Sequence, residues 1–230
     1  MSQSIDDFAR AFYPFLHDQE RQPQELAAAL RFSMLEKVRD SVEVKTSFFA
    51  AHQDAILAAA LALAKAFQHG HRLLVCGNGG SATDAQHIAV EFMHPITVGR
   101  RALPATCLAG DMAMVTAVAN DVGFAEVFAR QVIALGNAGD VLWGLSTSGN
   151  SENLLHAFET ARRRGLVTIG FAGGAGGSMA EMHAAEGLPE HCLVVPTASI
   201  HRIQETHVAL YHILWDLVHE YLQHRTLLET

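Results

Sequence analysis

The sequence predicts an α/β fold, a parallel sheet covered by helices on both faces, with N-terminal helices in front of it. Three observations carry this. The first part of the chain has a helical apolar rhythm; after His71 five short apolar segments alternate with helical stretches; and glycine and hydroxyl residues gather just behind three of those segments. In open α/β sheets ligands bind beyond the carboxyl ends of the strands, so three such loops side by side would line one pocket.

Residues 6–68 read as helical, with alanine-rich stretches broken near Pro14 and Pro23. The predicted strands are residues 73–76, 105–108, 141–145, 167–171 and 193–195, and the chain closes with a long helix over about 200–222. In that helix Ile203, Leu210, Ile213, Leu214, Leu217 and Tyr221 form the expected core-facing set, interrupted by Gln204, His207 and His212. His219 and His224 read as solvated; His71, His156 and His183 read as structural.

Length and composition narrow the function. A chain of 230 residues, half of them hydrophobic and 17% charged, suits one well-buried domain with an appendage, and leaves apolar surface for subunit contacts. The net charge of −8 argues against a nucleic-acid partner, since backbone binding needs clustered Lys and Arg. Lys37, Lys45 and Lys65 all precede the glycine loop, which leaves no P-loop lysine and no Schiff-base lysine behind it. Cys76, Cys107 and Cys192 are odd in number and lie in apolar runs, as reduced core cysteines of a cytoplasmic protein do. The start "MSQSIDDFAR" lacks a basic region followed by an apolar one, and the longest apolar run, residues 55–64, is short of the roughly 20 residues that span a bilayer. A soluble protein without a membrane partner is expected.

The stretch "LLVCGNGGSATDAQHIAVEF" takes an apolar strand into three glycines, a serine and a helix. "GNGGSA" fits the dinucleotide fingerprint through Gly77, Gly79 and Ala82, but the acidic residue expected about 20 positions on is missing, and Asp111 comes too late. The second loop, "STSGNS", shifts the balance towards phosphate. Ser146, Thr147, Ser148 and Ser151 supply hydroxyls, Gly149 lets backbone approach a ligand, and the next helix points its free N–H groups and positive dipole end into the loop. The plainer reading is that Ser151 caps its helix and the others make turns. On the helix after the first loop His87 and Glu91 lie four apart on one face, where they either form an ordinary exposed pair or meet a common atom.

Taken together, "CGNGGSATDAQHIAVE", "STSGNS", "AND" at 119–121 and "RIQETH" with His212 beyond it resemble the SIS (sugar isomerase) domain, specifically the phosphoheptose isomerases, in order and spacing from about residue 47 to 221. The resemblance implies a SIS domain over 47–230 behind a helical extension over 1–46. It implies a flavodoxin-like three-layer sandwich with a five-stranded parallel sheet, assembled as a homotetramer. The implied reaction interconverts sedoheptulose 7-phosphate and D-glycero-D-manno-heptose 7-phosphate. Carried onto this chain, the family's phosphate contacts are Asn78, Gly79, Gly80 and Ser81, then Ser146, Thr147, Ser148 and Ser151. Its sugar contacts are Asn120 and Asp121, and its zinc ligands are His87, Glu91, Gln204 and His212. Glu91 and His212 are also the expected proton-transfer pair, with Glu91 the leading base and the order reversible, and Gln204 and Glu91 count among the substrate contacts as well.

The chain departs from the family at His94 and Pro95, where a Gly-Arg pair is usual and its arginine reaches substrate; Arg100 or Arg101 is the candidate replacement. His201 stands where an acidic or small residue is usual, and residues 186–191 form a longer segment. Gln204 and His212 are eight positions apart, roughly 12 Å along one helix, so both must lean inward or the site must draw on two subunits. Two other readings stay open: an isomerase of another sugar phosphate, and a non-catalytic SIS regulator that binds a protein such as a replication initiator. Regulators of that kind lack the helix glutamate and the late histidine, both present here as Glu91 and His212.

Overall fold

A computed structural model describes residues 23–228, so Pro14 and the expected helical pattern over 6–22 lie outside the described residues. The chain divides into two compact units, one ending at Asp40 and one starting at Ser41. The described part of the first, residues 23–40, is wholly helical, and Leu30, Phe32, Met34, Leu35 and Val38 expose more than half of their surface there. Helix α1 covers Pro23–Ala51. It stops at Ala51, and α2 (Gln53–Gln68) begins beyond His52, so the expected helical stretch is broken at that histidine.

The second unit holds a five-stranded parallel sheet in the order β2-β1-β3-β4-β5, with strands β1 (Leu73–Gly77), β2 (Ala105–Cys107), β3 (Val141–Leu145), β4 (Val167–Gly173) and β5 (His191–Val195). The helices between them are α3 (Gly80–Met93), α4 (Met112–Asp121), α5 (Ala129–Leu135), α6 (Glu152–Arg163) and α7 (Gly177–Glu186), and α8 (Ile200–Gln223) follows β5. This is the expected α/β sandwich. Strands β1 and β3 are buried at every position, as central parallel strands covered on both faces must be. Strand β5 begins two residues before its expected start because His191 and Cys192 pair with Ile169 and Gly170 despite the polar histidine.

One face of the sheet carries α2, α3 and α8, closed by Leu63, Phe67, Ile88, Phe92, Leu210 and Leu214; the other carries α4, α5, α6 and α7, closed by Val118, Phe128, Val132, Leu154, Phe158 and Met179. After β1 the chain crosses to β2 on one side, while β3 lies on the other. The loops behind β1 and β3 therefore flank the switch point, where open α/β sheets bind ligands. Among the described residues, no single helix is long and apolar enough to cross a membrane.

Several expectations about side chains need correction. Ile213 is exposed, and Leu217 and Tyr221 are only half-buried; the inner stripe of α8 is Ile203, Leu210, Leu214 and Val218, flanked by Tyr211, Trp215 and His219. His219 is thus buried and not solvated, edge-on to Trp215 with ring centres 4.4 Å apart. Of the cysteines, Cys76 is buried, but Cys107 and Cys192 are only half-buried. Asp111, too late for a ribose contact, caps α4 by accepting from the Met114 N–H at 3.0 Å.

His207 is fully buried beneath β4, its Nε2–H donating to the Ala172 carbonyl at 3.1 Å. Burial pushes its pKa down to about 4 from 6.5, against the smaller opposing pull of that carbonyl. Below 6.5 the unfolded chain takes up a proton that the folded chain refuses until about pH 4. Stability is accordingly whole above the first value and falls as pH drops through the window, by on the order of 3 kcal/mol for this one group. Urea unfolding at a series of pH values is expected to show that loss, and His207→Gln, less stable at neutral pH, should flatten the slope between pH 6.5 and 4.

Candidate active site

The first loop turns tightly between β1 and α3. The Ser81 N–H bonds the Asn78 carbonyl at 3.0 Å, and Ser81 is buried at the mouth of the helix. The Asn78 and Asn153 carboxamides exchange two hydrogen bonds of 2.9 Å, which ties the loop after β1 to the first turn of α6 across the switch point. Gly80 lies close beneath α8: a Cβ there would lie 2.7 Å from the Gln204 carboxamide, which would have to swing aside.

The second loop folds its hydroxyls onto one another. Ser146 Oγ accepts from the Gly149 N–H at 3.1 Å and lies 3.1 Å from Ser151 Oγ and 3.5 Å from Ser148 Oγ. Ser151 stands at the N-cap of α6, yet its side chain caps nothing, so capping does not account for it. Gly149 has φ +69°, and a Cβ on it would lie 1.9 Å from the Gly176 carbonyl oxygen. Its own carbonyl accepts from the Met179 N–H at 2.9 Å, and Asn150 Oδ1 accepts from the Ser178 N–H at 2.8 Å. The loops after β3 and β4 are thereby locked together, and Thr147, Ser148, Gly174, Thr197 and Ile203 line a cavity of about 330 Å³ between them.

Further along α3, His87 and Glu91 meet His212 of α8. One ligand atom from each lies within 4.8 Å of the other two, and His87 Nε2 is 3.1 Å from Glu91 Oε1. The His87 and His212 rings meet edge to face with centres 5.2 Å apart. The Trp215 indole N–H donates to the Glu91 carbonyl at 2.8 Å, which pins the end of α3 to α8.

The other expected residues make contacts of their own. Gln204 Nε2 donates to Asp84 Oδ2 at 3.0 Å, nearer the start of α3. Asn120 and Asp121 are exposed at the end of α4; Asn120 donates to Asp121 at 2.9 Å, and among the described residues no hydrogen bond joins them to the cluster. Arg100, a candidate for the missing family arginine, is drawn away to Glu220 at 2.6 Å. Arg101 is exposed, as is His94.

The SIS domain family model matches residues 38–173. The chain belongs to the SIS domain family. This SIS domain is 46% identical over 185 residues to the phosphoheptose isomerase of Desulfovibrio desulfuricans, covering 80% of this chain and 85% of that protein. It is 47% identical over 188 residues to that of Chlorobaculum tepidum, covering 80% and 87%. Among solved structures it is similar to phosphoheptose isomerase GmhA from Neisseria gonorrhoeae, with a TM-score of 0.76, 36% identity and coverage of 82% of this chain and 98% of that one. These relatives also place it among the phosphoheptose isomerases.

Three residues that organise the SIS site had not stood out as site residues. Asp84 shares the α3 face of His87 and Glu91 at a spacing of three and seven, a signal present in the sequence. Burial pushes its carboxyl above the usual range, while the Gln204 amide and His87 pull it back. Asn153 and Trp215 carry no such signal, because their partners are 75 and 124 positions away. Gly149→Ala is expected to combine left-handed strain with a backbone clash, lowering stability by more than about 1–3 kcal/mol and loosening both loops. Denaturant titration should show the first effect and weakened sugar phosphate binding the second.

Proposed function

We propose that the chain interconverts sedoheptulose 7-phosphate and D-glycero-D-manno-heptose 7-phosphate through an enediol. The observation that carries this reading is the meeting of Glu91, His87 and His212 on α3, which opens at the first loop, and α8, whose start borders the cavity lined by Thr147 and Ser148. Ser81 and His87 are six positions apart on α3, roughly 9 Å along the axis, and the Glu91 side chain leans back towards the helix start. An extended sugar phosphate spans that distance, with its phosphate at Asn78, Gly79, Gly80 and Ser81 and at Ser146, Thr147, Ser148 and Ser151. Asn120 and Asp121 are assigned to the sugar hydroxyls, and the named relatives support the choice of a heptose.

Aldose–ketose isomerisation moves a proton between C1 and C2 and another between their oxygens. Glu91 takes the carbon-bound proton and returns it to the neighbouring carbon; His212 holds and passes the oxygen-bound one, and the reverse assignment serves the reverse direction. The phosphate loops orient the reacting carbons through binding remote from them. A zinc ion suits the cluster, since two imidazoles and a carboxylate form a zinc donor set and their spacing allows a shared centre. When bound, it supplies Lewis-acid polarisation of a sugar oxygen. His87, Glu91 and His212 would hold it, with Gln204 as fourth ligand through Oε1, the atom left when its nitrogen donates to Asp84.

The same proposal includes a cytoplasmic homotetramer built on the SIS domain of residues 47–230, with residues 1–46 as its extension. An apolar groove of about 420 Å³ lined by Phe49, Ile56, Leu57, Ile213 and Leu217 supports assembly.

Ser148→Ala and Ser81→Ala are each expected to weaken sugar phosphate binding by about 1.5–3 kcal/mol, one hydrogen bond to a charged group. Calorimetric titration with unchanged affinity in both would place the anion elsewhere. Glu91→Gln keeps shape and hydrogen bonding but removes the base, so turnover should fall by roughly 10²–10⁴-fold with much less change in phosphate affinity. A panel of heptose, hexose and pentose phosphates assayed with the parent enzyme tests the reaction itself; no turnover on any of them defeats the isomerase reading.

A further inference from the structure

Tyr211 has no part in the roles assigned so far, yet it touches the cluster more closely than its place in the core requires. Its hydroxyl lies 3.0 Å from Nδ1 of His87, while Nε2 of the same ring lies 3.1 Å from Glu91 Oε1. Tyr211 is 3% exposed, whereas the His87 side chain is 46% exposed. A half-exposed imidazole turns readily about its last torsion, and a half-turn redirects both ring nitrogens. Here one edge of the ring is held by a buried group, and the other is offered to Glu91 and His212.

We propose that Tyr211 is a positioning residue for His87: its hydroxyl fixes the imidazole so that Nε2 faces Glu91 and His212, whichever ring nitrogen carries the proton. A neutral imidazole has one donor and one acceptor. Glu91, as a carboxylate, only accepts, so without a cation the proton belongs on Nε2 and Nδ1 accepts from the tyrosine O–H. With Nε2 given to a cation, the ring proton sits on Nδ1 and the hydroxyl turns to accept it. The ring carries one proton in both states. Most partners of this kind are carboxylates or carbonyls, which only accept and so suit the second state alone; a hydroxyl serves both without moving the ring.

The surroundings keep the hydroxyl available for this. A tyrosine hydroxyl ordinarily titrates at about 10, so at the pH of the site it is a neutral donor and acceptor. Tyr211 is fixed on the inner side of α8, and its ring lies 4.6 Å from His212 and 5.6 Å from His87, so one core residue borders both histidines. The half of the inference that concerns a cation rests on the metal reading above; the half that concerns the ring does not.

The test uses the full chain with ¹⁵N-labelled histidine, stripped of metal and held at pH about 8, above the ordinary histidine range. The His87 signals, assigned by their loss in His87→Gln, should show the proton on Nε2 and a hydrogen-bonded, unprotonated Nδ1. In Tyr211→Phe the Nδ1 signal should move to that of a nitrogen without a donor. Titration with Co²⁺, followed by visible absorption, should give about 10–100-fold weaker binding in Tyr211→Phe than in the parent. A parent protein whose Nδ1 signal is that of a nitrogen without a hydrogen-bond partner, or a variant with both nitrogen signals and Co²⁺ affinity unchanged, overturns the proposal. The parent spectrum decides even where the variant does not fold. If the parent takes up no Co²⁺, the metal reading fails by itself and the metal-free nitrogen signals still decide the role of Tyr211.

Discussion

The close seating of α3 on α8 is the constraint on which the site depends. At one end a side chain at Gly80 would displace the Gln204 carboxamide, and at the other the Trp215 indole fixes the helices by donating to the Glu91 carbonyl. Between these points the two helices bring Asp84 to Gln204, His87 to Tyr211, and both His87 and Glu91 to His212. A shift of one helix by a single residue, about 1.5 Å, would undo several of these pairings at once, because each depends on short hydrogen-bonding distances. The buried stripe of Ile203, Leu210, Leu214 and Val218 against the sheet fixes the position of α8, so core packing sets the geometry of the polar groups.

A second constraint is that the protein holds an anion with a net charge of −8 and no lysine beyond residue 65. Net charge gives little long-range attraction, which favours short, oriented donors such as the backbone N–H groups and hydroxyls of the two loops proposed for the phosphate. Such donors work only where the loop is rigid. Gly149 against Gly176, Ser146 across its own loop and the Asn78–Asn153 pair supply that rigidity. They also join three strand-end loops into one wall, so phosphate binding and chemistry draw on the same framework.

The histidines show how position sorts one residue type into different tasks. His207 and His219 are buried with pKa values pushed down to about 4, so they remain neutral packing groups under ordinary conditions. His87 and His212, on the same pair of helices, reach solvent and one another. Their neighbours decide this: aromatic rings close over His219, while a carboxylate and a tyrosine hydroxyl flank His87.

By itself the sequence determined the alternation of strands and helices, the strand-end loops and the candidates Ser81, His87, Glu91 and Ser148, because these signals are local: apolar runs, glycine before a helix, and two residues one turn apart; His212 came from the family resemblance alone. The spacing of eight between Gln204 and His212 also shows that both must lean inward to share one centre, and the Gln204 nitrogen is held by Asp84. Only the tertiary structure decided that Ser151 turns into the loop, that Arg100 goes to Glu220, that His219 is buried, and that Asn153, Trp215 and Tyr211 support the site. Each of these outcomes depends on how distant segments pack against one another. Pattern along the chain records which face of a helix is apolar, but not which atom of another helix will stand opposite it.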